Sequence, residues 1–132
     1  MVISSRNVVL VFILDKETDI DLELLAVNRG WRVVHATSVL QTLREICHLK
    51  PLVIIIQFSA HIAETLEVIE YLRQSLPQVP LIAVTSLNQE KIEQTIRSVG
   101  ASGYFCGPGS TELVSRAVTM ITARNTAEIM AK

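Results

Sequence analysis

The stretch that decides the fold is Pro51-Leu52-Val53-Ile54-Ile55-Ile56-Gln57. An unbroken aliphatic run follows the proline and ends in one amide side chain. A run of this kind is typical of a strand that other elements cover on both faces. Such strands belong to parallel sheets, because the helices that connect parallel strands pack on both sides. The segment therefore predicts a central strand whose carboxyl end presents Gln57.

Apolar runs alternate with helical patterns along the whole chain. We expect strands at 7–14, 31–36, 52–58, 80–84 and 103–106. We expect helices at about 18–29, 38–49, 62–75, 88–98 and after 110. Strand–helix units repeated in this way predict an α/β fold, a doubly wound five-stranded parallel sheet with helices on both faces. For a sheet of this size, 2-1-3-4-5 is the common strand order.

Three of the predicted helices carry more detailed signals. The first has Ile20, Leu24 and Val27 on one face. The segment 86–89 has the S-x-x-Q spacing of a capping box, which predicts the start of the fourth helix there. The last helix has apolar residues in helical register at Leu113, Val114, Ala117, Val118 and Ile121.

Composition and charge limit the classes of protein to which this chain can belong. The chain has 132 residues, 49% of them hydrophobic and 19% charged, which suits one folded domain. We assign 1–122 to that domain and 123–132 to a helical extension or tail. With a net charge of −1, the chain has no excess of positive charge that would attract nucleic acid or an anionic membrane surface. The apolar run at 8–14 is too short to span a bilayer, and we expect a cytoplasmic protein.

Polar residues follow the predicted strands where a doubly wound sheet binds its ligands. In this architecture, ligands bind outside the carboxyl ends of the strands. The residues at those ends include Asp15, Lys16, Gln57, Thr85 and Gly107.

Four segments, in one consistent order, resemble the receiver domain of response regulators. Residues 14–17 are similar to the V-D-D-E of that family, and residues 51–57 to P-D-L-V-I-L-D. Residues 79–86 are similar to I-P-V-I-A-L-T-A, and residues 100–108 to G-A-D-D-Y-L-x-K-P. The resemblance covers about 6–122 and implies a flavodoxin-like receiver fold.

The resemblance also implies which groups a phosphoryl-transfer pocket would need. Family members use two acids that hold Mg²⁺, an aspartate nucleophile, a hydroxyl and a lysine. At the matching positions this chain keeps Asp15 and Thr85, and it has Lys16, Gln57 and Gly107 instead of the second acid, the nucleophile and the lysine. A neutral amide is a poor nucleophile and a weak metal ligand. We therefore expect no enzyme activity, no cofactor, and weak or absent Mg²⁺ binding.

Lys16 allows two interpretations. Its ammonium group can occupy the metal position and pair with Asp15, or it can point into solvent as most lysines do. The sequence leaves both open.

A partner surface is implied by the same resemblance, on the last two helices and the fifth strand. Its candidate residues are Gln89, Glu93, Arg97, Tyr104, Glu112, Arg116 and Thr119. Any solvated helical face also shows such mixed charge. In the family, the aromatic residue at position 104 reports activation by its rotamer, whereas a half-buried aromatic on an edge strand is the plainer interpretation.

These features together predict a pseudo-receiver, a non-phosphorylatable signalling domain of a two-component or phosphorelay-type system. It would act through contact with a kinase, an output domain or a second copy as a homodimer. One alternative is an atypical phosphoacceptor that uses Asp15. Another is a small-ligand module in the vacated pocket, although the loop 15–19 lacks the glycines of flavin or nucleotide sites. The chain could also be the amino-terminal domain of a longer regulator.

Overall fold

Five parallel strands form one sheet in the computed structural model of this chain. The strands are β1 (Val9–Ile13), β2 (Arg32–His35), β3 (Val53–Phe58), β4 (Leu81–Thr85) and β5 (Gly103–Cys106). Their order is β2-β1-β3-β4-β5, and every neighbouring pair is parallel. The predicted doubly wound sheet of order 2-1-3-4-5 is confirmed.

The structure describes residues 9–14, 22–35, 50–60, 62–87, 89–107 and 109–131, with the backbone alone from 124 onward. Within these ranges the helices are α1 (Leu22–Arg29), α2 (Ile62–Ser75), α3 (Glu90–Ser98) and α4 (Ser110–Ala131). The helix expected at 38–49 lies outside the described residues. In the described part of the chain, no helix is long and apolar enough to cross a membrane.

The hydrophobic core lies on both faces of the sheet. Phe12, Phe58 and the buried residues of α2 and α3 form one cluster, and Val11, Ile55 and the buried residues of α1 and α4 form the other. Successive residues of a strand alternate between the two clusters, because side chains point to opposite faces with a period of two. Every residue of the central strand β3 is buried.

The face of α1 that packs on the sheet differs from the predicted one. Leu24 and Val27 are 56% and 67% exposed, whereas Leu22 and Ala26 are fully buried. Ile20 lies outside the described residues. The prediction of the buried face was wrong because α1 carries apolar residues on several sides, so packing rather than periodicity selects the face.

The start of α3 also differs from the prediction. The helix begins at Glu90, and its N-cap, Gln89, has an extended backbone and makes no side-chain capping bond. The Thr85 hydroxyl instead accepts a hydrogen bond from the Leu87 N–H at 3.1 Å, which forms a local turn before the helix. The predicted capping box at 86–89 was therefore wrong.

The apolar register predicted for the last helix is confirmed in its main part. Val114 and Val118 are buried, and Ala117 and Ile121 pack against the edge of the same cluster. Leu113 is 45% exposed, so it lies at the margin of the buried face.

Arg73 ties together two turns at the amino-terminal edge of the sheet. Its Nη1 donates to the Val79 carbonyl, and its Nη2 donates to the Pro77 carbonyl at 2.6 Å. The aliphatic part of the same side chain lies against Gly100, which has a φ of +125°. A β-carbon at Gly100 would overlap the Arg73 side chain, so glycine is required there for two reasons.

We predict that Gly100→Ala lowers the free energy of unfolding by roughly 2–4 kcal/mol, because it strains the backbone and displaces Arg73 from its two carbonyl partners. Urea denaturation measures this loss. The matched control is Gly109→Ala, where a β-carbon would meet nothing within 4 Å and the φ is not in the left-handed region. It should change stability by less than about 0.5 kcal/mol. Equal effects of the two variants would contradict the prediction.

Candidate functional site

The carboxyl edge of the sheet brings together three of the five predicted pocket residues. Gln57 belongs to β3, Thr85 ends β4, and Gly107 directly follows β5. The Gly107 N–H donates to the Thr85 carbonyl at 3.1 Å, which holds the end of β5 against β4. Asp15 and Lys16 lie outside the described residues, so the two interpretations of Lys16 stay open.

Gln57 is the polar side chain of an otherwise apolar strand. It is 2% exposed, and its neighbours across the sheet are Ile13 and Val84. Its Oε1 is buried and has no hydrogen-bond partner among the residues that the structure describes. Burying a polar atom without a hydrogen bond costs about 1–3 kcal/mol, so the unpaired Oε1 is unfavourable at this position.

Thr85 lies fully buried at the end of the neighbouring strand. It is paired with Phe58, so strand alternation places it on the α2 and α3 side of the sheet. Gln57 is paired with residues of the opposite cluster and lies on the α1 and α4 side. The Thr85 hydroxyl accepts the Leu87 N–H, as described above, so it also serves the turn that leads towards α3.

Gly107 directly follows β5 and places no side chain at the carboxyl edge. Its φ is +90°, a conformation that residues with a side chain rarely adopt. A β-carbon there would meet nothing within 4 Å, so the space beside it is open. The backbone of this loop therefore favours glycine at the position where the resemblance implies a lysine.

Ser110 is a buried polar residue at this edge that sequence reasoning missed. It is the first residue of α4, is fully buried, and its N–H donates to the Gly107 carbonyl at 3.1 Å. Its Oγ, like the Oε1 of Gln57, has no hydrogen-bond partner in the described part of the chain. A serine before an apolar helical pattern is a common start signal, but only the packing shows that its side chain is buried.

The described residues offer little to a metal ion. In the ranges that the structure covers, no group of three histidine, cysteine, aspartate or glutamate side chains could hold one. At position 57 a neutral amide oxygen stands in an apolar setting, and Mg²⁺ prefers carboxylates with several waters. These residues do not fit the magnesium site that the receiver fold implies, and Asp15 lies outside the described part of the chain.

Tyr104 points inwards beneath the loop between β4 and α3. It is 7% exposed, and its hydroxyl donates to the Leu87 carbonyl at 2.9 Å. The ring therefore belongs to the core and contributes little to the outer face on which the sequence placed it. The same loop residue, Leu87, is bound through its N–H by Thr85 and through its carbonyl by Tyr104.

The other candidate interface residues lie on the outer faces of α3 and α4. Glu93 pairs with Arg97 at 3.0 Å, and Glu112 pairs with Arg116 at 2.8 Å. Each pair lies within one helix at a spacing of four residues, and such exposed pairs contribute about 0.3–0.5 kcal/mol. Gln89 and Thr119, which complete the set, are also exposed.

Solved receiver structures are similar to this chain over most of its length. A two-component response regulator from Clostridium difficile has a TM-score of 0.72 and 17% identity, over 90% of this chain and 98% of that one. A response regulator protein from Burkholderia multivorans has a TM-score of 0.64 and 18% identity, over 89% and 95%. A CheY-like protein (tadZ) from Pseudomonas aeruginosa has a TM-score of 0.64 and 12% identity, over 85% and 91%.

The comparisons establish the fold. No protein-family model and no curated protein sequence matches the chain. The structural likeness and the sheet order show that the chain has the receiver, or CheY-like, fold. At identities below one fifth, this likeness concerns the backbone architecture alone.

We predict that Gln57→Leu leaves the free energy of unfolding unchanged or raises it by up to about 2 kcal/mol, because it removes a buried amide oxygen that has no partner among the described residues. The contrasting variant is Thr85→Val, which should cost about 1–2 kcal/mol because the Leu87 N–H loses its acceptor. Chemical denaturation of both variants at one pH gives the comparison. A larger loss for Gln57→Leu than for Thr85→Val would show that the Gln57 amide has a stabilising partner.

Proposed function

We propose that this chain is a receiver-like signalling module that is not phosphorylated and that acts through protein–protein contact. It would belong to a two-component or phosphorelay-type system and would work without Mg²⁺ or another cofactor. The observation that carries the proposal is the buried amide of Gln57 at the carboxyl end of β3. The resemblance places the phosphoacceptor aspartate of active receivers at that position.

The chemistry of the edge supports this proposal. Aspartyl phosphorylation needs a carboxylate that attacks phosphorus, and the Gln57 amide carries no charge and no available lone pair of comparable basicity. The transferred group also needs cations that neutralise its developing charge. The loop after β5 has glycine at 107, in a conformation that disfavours any side chain. Loss of the nucleophile and loss of the neutralising cation are consistent with each other.

The conformation of the loop between β4 and α3 supports a module with one persistent state. Leu87 is held by both Thr85 and Tyr104, and Tyr104 is buried. We infer that this edge keeps one arrangement without a phosphoryl group to select it. The domain would then be regulated by the availability of its partner, which can be a kinase, an output domain or a second copy.

The test is intact-mass spectrometry of the chain after incubation with acetyl phosphate and Mg²⁺. We expect no mass gain, because no carboxylate replaces Gln57. A phosphorylatable response regulator treated in the same solution serves as the control and should gain one phosphoryl group. A gain on this chain that is lost in Asp15→Ala would contradict the proposal and would indicate an atypical phosphoacceptor.

A further inference from the structure

A recess lies between α4 and the edge strand β5, near the amino-terminal ends of β4 and β5. Its floor is the sheet, where Ile82, Gly103 and Phe105 lie on the face that α4 covers. One of its walls is α4, with Ala117 and Met120. The volume is about 270 Å³, more than the roughly 150 Å³ of an engineered apolar cavity that binds benzene. The recess can therefore hold a molecule of about ten non-hydrogen atoms.

The recess is separate from the carboxyl edge of the sheet. Pro80 and Ser102, which also line it, come directly before β4 and β5. Gln57, Thr85 and Gly107 lie at or beyond the opposite ends of their strands. Because a strand rises about 3.3 Å per residue, Pro80 and Thr85 lie roughly 16 Å apart. A molecule in the recess would therefore not occupy the position of a phosphoryl group.

Gly103 leaves space on the floor of the recess. Its φ is not in the left-handed region, and a β-carbon there would make only ordinary contacts, at 3.7–3.8 Å, with Ile82 and Phe105. Neither the backbone nor the packing therefore requires glycine at this position, and glycine is unfavourable in a strand. Glycine in a strand often marks a place where a ligand approaches closely.

The sequence around the recess departs from the receiver motif that it resembles. The motif G-A-D-D-Y has two acids where this chain has Ser102 and Gly103, and the leucine after its tyrosine is replaced by Phe105. These differences remove two carboxylates and add an aromatic ring to the floor. Among the residues that the structure describes, those that line the recess are all uncharged. Such a lining favours an uncharged ligand, because a charge that is buried without a partner is costly.

The wall formed by α4 can adapt to a ligand. Met120 is 69% exposed, and methionine has a flexible, unbranched side chain that fits apolar surfaces of different shapes. Ala117 lies one turn earlier on the same helix and is small and partly buried, so it leaves room beside the sheet. A rotation of the Met120 side chain can therefore cover a molecule that lies on Phe105 and Gly103.

We propose that this recess is a binding site for a small, uncharged, apolar molecule that carries at most one polar group. Ser102 is exposed at the rim and supplies a hydroxyl that can bond to that polar group. A protein partner could place only one large side chain in the recess, whereas a small molecule can bury most of its surface there. The inference goes beyond the proposed function, because it gives the module a chemical signal that does not involve position 57.

Titration of the whole chain with indole, followed by ¹H–¹⁵N correlation NMR, tests the proposal. Indole is uncharged, has about ten non-hydrogen atoms, and carries a single N–H that the Ser102 hydroxyl can accept. We expect saturable shifts of the backbone amides of Gly103, Phe105 and Ala117. The dissociation constant should lie between roughly 10 µM and 1 mM, which is usual for a ligand of this size.

Two variants fill the recess from its two sides. Gly103→Val does so from the sheet and Ala117→Leu from the helix, and each should raise the dissociation constant of indole at least about tenfold. Both variants should fold, because a β-branched residue suits a strand and leucine suits a helix. The matched control is Ala63→Leu, since Ala63 is exposed on α2 and does not line the recess; it should leave the affinity unchanged.

Several results would overturn the inference. One is a wild-type protein that shows no saturable shifts, or shifts centred outside the recess. Another is unchanged affinity in either filled variant, whose own spectrum shows whether it is folded. Light scattering on the same samples covers a protein occupant: a dimer that must dissociate before indole binds would show that a second copy fills the recess. None of these results depends on the acetyl phosphate experiment, so the two proposals can fail separately.

Discussion

Burial of β3 on both faces is the constraint on which the rest of the structure depends. All residues of Val53–Phe58 are buried, and the strand is paired on one side with β1 and on the other with β4. A strand with no exposed face must be apolar, and the helices of both layers must cover it. The connections between parallel strands supply those helices, so the two core clusters and the sheet order follow from the same requirement.

Because of this constraint, the residues that stabilise the fold are different from the residues that lie at its carboxyl edge. The stabilising burial lies along the strands and helices, at residues such as Leu10, Ile55 and Ile69. Gln57 adds a buried amide oxygen that no described residue binds, and Gly107 adds a backbone conformation that favours glycine. Both residues help to hold the sheet through their backbone alone, so the pairing does not depend on a side chain at either position. The sheet therefore does not depend on which side chains stand at its carboxyl edge.

The surfaces of the two helical layers differ in what they offer to a partner. On α3, exposed charged residues form pairs within the helix, such as Glu93 with Arg97, and such pairs add little to binding. On α4, Leu113 and Met120 expose apolar area next to a recess against β5. Burial of apolar area is the larger favourable term in most associations. The α4 side therefore exposes more of the apolar area whose burial favours association.

The sequence by itself determined the strands, their parallel arrangement and the identity of the residue at the end of β3. A continuous aliphatic run indicates burial on both faces, because successive side chains of a strand point to opposite faces and all of them are apolar. Tertiary packing alone decided which side of a helix is buried, since α1 has apolar residues on several sides and the sheet selected Leu22 and Ala26. It also decided that the Ser110 hydroxyl is buried and that Thr85 binds Leu87 in place of a capping box. The buried face of α1 and the burial of Ser110 depend on neighbours distant in the chain, about which a local pattern carries no information. The Thr85–Leu87 turn is local, but the Tyr104 hydroxyl that binds the Leu87 carbonyl comes from 17 residues further along the chain.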